Sequence, residues 1–73
     1  MSYYGAYLHD VVTVECASGS VFTGDVTSFG SSVQALEEYG IEEDFIVVDT
    51  GGTSYALFDS EIRSITVLQK AGD

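Results

Sequence analysis

The sequence predicts an all-β domain with a minor helix: five short strands strongly bent into a small barrel, with one helix inserted at about residues 32–39. Three observations carry this reading. Apolar and polar residues alternate with a period of two over several short windows. Glycine-containing turns separate those windows, and proline is absent throughout. One window between the second and third strands switches to helical spacing.

In chain order, Tyr3, Tyr4, Tyr7 and Leu8 recur at helical intervals and suggest a short N-terminal helix, weakened by Gly5. Residues 11–16 follow, with Val12, Val14 and Cys16 alternating with Thr13 and Glu15, the pattern of a half-buried strand. Residues 17–20, with Gly19, form a turn. Residues 21–29 form a second strand with Phe22 and Val26 on one face; Gly24 between them marks a bend or bulge. Ser31 or Ser32 then caps a two-turn helix over 32–39, and Gly40 stands where a left-handed cap belongs, followed by apolar Ile41. Glu37 and Glu38 lie at the helix end that disfavours anions. Residues 45–49, with Phe45, Ile46, Val47 and Val48, make a third strand. The Thr50-Gly51-Gly52-Thr53 sequence reads as a hairpin turn, because two glycines supply the positive φ angles of a primed turn. Residues 54–58 form the fourth strand, residues 59–61 a tight connection, and residues 62–68, with Ile65 and Val67, the fifth. Residues 69–73 read as a polar tail.

At 73 residues the chain holds one domain, 1–73, with no room for a second. Its 12 acidic and two basic side chains, Arg63 and Lys70, give a net charge of −10. A hydrophobic content of 45% separates it from disordered acidic tails. The charge argues against a polybasic nucleic-acid clamp and an anionic-membrane binder. Cys16 is the sole cysteine, so no internal disulfide forms and no paired-thiolate zinc site exists. The segment 1–10 lacks the basic start and apolar run of a signal peptide, and no window approaches a membrane span. A cytoplasmic protein without membrane association is expected.

Two patches give the chain a family resemblance. The first comprises Val12, Val14, Gly19, Phe22, Gly24 and Val26; the second is Leu57-Phe58-Asp59 followed by Ile62 and Ile65. Together with the order of elements, they resemble the two motifs of the Sm-like (LSm) family of ring-forming small barrels, within the SH3-like barrel class. The likeness runs from Val11 to Leu68 as topology and apolar spacing. It departs from the family in the RNA pocket. The expected aspartate-asparagine pair is missing: Gly30 and Gln34 fall at that spacing, or Ile46 takes the asparagine position if the helix is an insertion. In the second motif Phe58 replaces arginine and Asp59 replaces glycine.

The resemblance implies a homo-oligomeric ring, of about five to seven subunits, in which the fourth strand of one copy joins the fifth of the next. Ser54, Tyr55, Ala56, Leu57, Ile65 and Val67 are the interface residues it designates. Exposed strand edges with no proline to block them point the same way. The family further implies a role in nucleic-acid processing with single-stranded RNA or DNA as partner, and Arg63, Phe58 and Gln34 are the candidate contacts. Phe58, at the position of the base-clamping arginine, is the stacking candidate. Phe22, Phe29 and Phe45 are expected in the core or between subunits. Two alternatives stand beside this: a scaffold ring that binds proteins and no nucleic acid, and an acidic mimic of nucleic acid that occupies a basic protein through Glu37, Glu38, Glu42 and Glu43.

Other sites read as ordinary. Glu37, Glu38, Glu42, Glu43, Asp44 and Asp49 lack the spacing of a calcium loop and read as a solvated face, so no metal or cofactor is expected. His9 and Asp10, adjacent on an extended chain, point to opposite sides and have no elbow serine to serve. No enzyme is expected. Cys16 is expected to fill core volume.

Overall fold

A computed structural model describes residues 4–72. A 3-10 turn at Tyr4–Tyr7 leads into β1 (Val11–Cys16) and β2 (Val21–Gly30). Then come α1 (Ser32–Tyr39), β3 (Phe45–Asp49), β4 (Ser54–Phe58), a second 3-10 turn at Asp59–Glu61 and β5 (Ile62–Gln69). The N-terminal helix expected from the tyrosine spacing is thus a single 3-10 turn, closed by the Leu8 N–H on the Gly5 carbonyl at 3.2 Å. Tyr3, part of that expectation, lies outside the described residues.

The strands form one antiparallel sheet in the order β4-β3-β2-β1-β5. It is not closed into a barrel, because β4 and β5 are its two edges and no ladder joins them. It is nevertheless rolled, and connectivity requires this. Laid flat, the outer strands of five would stand about 19 Å apart, at about 4.8 Å per spacing. The 3-10 turn Asp59–Glu61 that joins β4 to β5 spans only about 8 Å at about 2 Å per residue. The sheet must curl to bring its edges within that reach. Register shifts in the β1–β5 ladder and between Val26 and Ser28 in the β2–β3 ladder provide the bending.

Curling encloses one apolar face. Val12, Val14, Cys16, Val26, Ile46, Val48 and Leu57 are buried together with Tyr4, and Phe22, Ile62, Ile65 and Val67 pack against them. All five strands contribute, so the alternation read in the sequence is the inside-outside alternation of the rolled sheet. Each fully buried Val or Ile contributes about 1.5–3 kcal/mol. At Gly24 the backbones approach closely: a Cβ there would lie 2.0 Å from the Asp49 carbonyl oxygen. No side chain fits between β2 and the end of β3.

Local chemistry fixes the connections. Ser31 Oγ accepts the Gln34 N–H at 3.4 Å, and Asp44 Oδ1 accepts the Ser32 N–H at 2.9 Å, so two otherwise unpaired amides of α1 are satisfied. Gly40, at φ 74°, ends the helix, with its N–H on the Leu36 carbonyl at 3.1 Å. In the β3–β4 hairpin, Gly51 and Gly52 both have positive φ, as a primed turn requires, and Asp49 Oδ1 accepts the Gly52 N–H at 2.8 Å. Among the described residues, no helix is long and apolar enough to cross a membrane.

The chain end departs from the polar tail expected of residues 69–73. Gln69 closes β5, opposite Val11, and the next two residues are fastened to Asp10. That carboxylate, 2% exposed, accepts the Ala71 N–H at 2.7 Å and the Lys70 ammonium at 3.1 Å. The partners lie some 60 positions apart in sequence, which is why no local pattern announced them.

Candidate interface along the open seam

The rolled but unclosed sheet leaves a seam. Among the described residues β4 is paired only with β3, and β5 only with β1, so each presents a backbone edge that no further strand covers. A groove of about 500 Å³ runs along β4. Tyr55, Ala56 and Leu57 form one wall, the β1–β2 turn with Ser18 and Ser20 forms the other, Cys16 and Phe22 lie between them, and Ser60 and Glu61 close one end. The Phe22 and Tyr55 rings meet across it with centroids 4.8 Å apart. At its closed end the Ala17 N–H donates to the Glu61 carbonyl at 2.7 Å, tying the turn to the start of β5.

Of the designated interface residues, Ser54, Tyr55 and Ala56 lie on the open edge, and Tyr55 is 39% exposed. Leu57 is buried, and Ile65 and Val67 point into the core. These last three would contribute backbone edge rather than side-chain surface. The outward side chains of β5 include Arg63, Ser64, Thr66 and Leu68, with Leu68 58% exposed.

None of the three nucleic-acid candidates lines this groove. The half-buried Phe58 ring packs at right angles to Tyr39 at 5.5 Å and tilted against Phe45 at 5.8 Å, so part of its surface is already engaged. Tyr39 also packs edge-on to Phe45 at 5.4 Å, and the trio seats α1 on the sheet. Gln34 lies on α1 and donates to Glu38 at 3.2 Å. Arg63 is exposed on β5, and among the described residues it has no ion-pair partner. Of the phenylalanines expected in the core or between subunits, Phe45 is 2% exposed and Phe22 half-buried, and Phe29 is 40% exposed on β2.

The acidic residues are not merely solvated. Glu43 accepts both the Ser60 N–H at 2.7 Å and its hydroxyl at 3.0 Å. Glu61 accepts the Phe58 N–H at 3.2 Å, and Asp59 accepts the Tyr4 hydroxyl. Glu43 and Glu61, with Asp44 and Asp49, thus accept turn and helix amides, a role the charge pattern alone did not indicate. Among the described residues, no three His, Cys, Asp or Glu side chains are grouped to hold a metal ion.

Two titrating groups are displaced. Asp10 is held below its ordinary 3.8 chiefly by the Ala71 N–H; burial opposes this and Lys70 reinforces it. His9, next to it, is exposed at φ 69° and takes no part, so the two do not form a working pair. The Cys16 thiol is pushed up from 9.0 by burial and further by the Glu61 carboxylate, both of which disfavour the nucleophilic thiolate. Set against protein-family models, curated proteins and solved structures, the chain matches none.

Proposed function

We propose that this chain is a divergent Sm-like module that assembles by pairing β4 of one copy with β5 of the next, forming a closed homo-oligomeric ring that serves as a protein-interaction scaffold. The observation that carries the reading is the pair of unpaired edges, which a single three-residue turn holds on either side of one seam. A repeated heterologous contact between them gives each copy one donor and one acceptor edge, and such a contact closes when the rotation permits. The N-terminal turn, five bent strands and short connection before the last strand agree with the family's element order.

Scaffolding is favoured over nucleic-acid binding by the site itself. Phe58 is committed to Tyr39 and Phe45, Gln34 to Glu38, and each copy adds a charge of −10 that repels phosphates. The nucleic-acid reading rests on Arg63, the one exposed cation without a partner among the described residues. Native mass spectrometry at low salt, with and without an added single-stranded oligonucleotide, separates the two. A closed ring that stays bare supports the scaffold. A ring that retains oligonucleotide, loses it steeply with salt and loses it on Arg63→Ala supports the nucleic-acid role instead. A chain that remains monomeric at all concentrations contradicts both.

A further inference from the structure

We propose that the groove beside β4 is a composite site completed by a second copy of this chain, with Arg63 of that copy seated at the Ser60–Glu61 end. The inference rests on the edge pairing proposed above and adds its orientation and its ionic contact.

Charge complementarity identifies the occupant. The chain has two basic side chains; Lys70 is held by Asp10, which leaves Arg63. Arg63 stands near the start of β5, one of the two edges, and Glu61 closes the groove along the other. Within one copy the two make no ion pair. Between copies, antiparallel pairing sets the start of β5 against the end of β4, and so sets Arg63 against Glu61.

The far end of the contact fits the same alignment. Leu68 lies five residues along β5 from Arg63, about 17 Å at about 3.3 Å per residue. From Glu61 back to Tyr55 the chain runs three steps of 3-10 turn and three of strand, up to about 16 Å. Leu68, 58% exposed, therefore comes level with Tyr55, 39% exposed, when Arg63 meets Glu61. Parallel pairing would place Leu68 against the acidic turn and leave Glu61 without a cation. Burial beside the apolar wall of Tyr55, Ala56 and Leu57 strengthens the ion pair relative to an open-surface one.

The test is association measured by sedimentation velocity on the full chain, with thermal unfolding as a check on the fold. Arg63→Glu touches only an exposed side chain, so the monomer stays folded while self-association weakens at least about tenfold. Glu61→Gln, which keeps an acceptor for the Phe58 N–H, weakens it less. The cis double variant Glu61→Arg with Arg63→Glu restores association, because every interface regains an opposite-charge pair. Unchanged association of Arg63→Glu, or no recovery in the double variant, overturns the composite site while leaving edge pairing intact. A wild-type chain that never associates overturns the edge pairing itself.

Discussion

Phe22 and Tyr55 lie with ring centroids 4.8 Å apart and their planes inclined at 47°, although their strands β2 and β4 are separated in the sheet by β3. Curling of the sheet tips the two side chains toward one another, and both line the groove beside the open edge. Replacing Tyr55 by Ala removes the aromatic pair, worth about 1 kcal/mol, and part of the apolar wall. Urea unfolding of the monomer should show a loss of about that size. Phe22→Ala, which also empties space against the core, should cost more, about 2–3 kcal/mol.

The Asp10 clasp gives a pH signature. Its carboxyl has a folded-state pKa below the ordinary 3.8, so the folded chain binds fewer protons than the unfolded chain around that pH. The stabilisation is full above about pH 4 and is lost as pH falls through the lowered value. Asp10→Asn should flatten the acid limb of a stability-against-pH curve. Amide exchange should quicken at Ala71 and at the end of β5, where the clasp holds the chain.

Gly24 tolerates no side chain. The 2.0 Å approach of an added Cβ to the Asp49 carbonyl is to backbone, so β2 and β3 must part to admit it. Gly24→Ala should destabilise by about 3 kcal/mol and lower the unfolding midpoint in urea without changing the fold. Ala at Gly19, where nothing lies within 4 Å, serves as the control for added bulk; its positive φ of 95° brings only local strain.

Cys16 should be unreactive. Buried at 4% exposure and held protonated by burial and Glu61, it should resist thiol reagents at neutral pH until the chain unfolds. Its raised pKa has a stability consequence of opposite sign to that of Asp10. Above about pH 9 the unfolded chain loses the thiol proton more readily than the folded chain, so stability falls as pH rises. Cys16→Ser should remove that alkaline component, which a thiol-labelling time course and an alkaline melt would both register.

Local signals in the sequence located nearly every element. The period-two runs around Val12 and Val14, the Ser31 and Gly40 caps and the Gly51-Gly52 turn are each complete within a few residues, so pattern and propensity suffice. The contacts that remained hidden join distant segments: Asp10 with Lys70, Glu43 with Ser60, Tyr4 with Asp59. Nothing near Asp10 announces its burial, and a run such as Glu42-Glu43-Asp44 looks solvated until the turn amides it serves are in place. Phe58 illustrates the same limit at the site. The family resemblance suggested a stacking surface, and only the packing of α1 places Tyr39 against it.

In the proposed ring, the free edge of β4 in one copy pairs with the free edge of β5 in the next. Amide hydrogen exchange of Ser54–Phe58 and Ile62–Gln69 as a function of protein concentration tests it most directly. The outward amides of both strands should gain protection together as concentration rises, while those of β1 and β2 stay unchanged. Exchange at both edges that is fast and independent of concentration, up to the solubility limit, would contradict it.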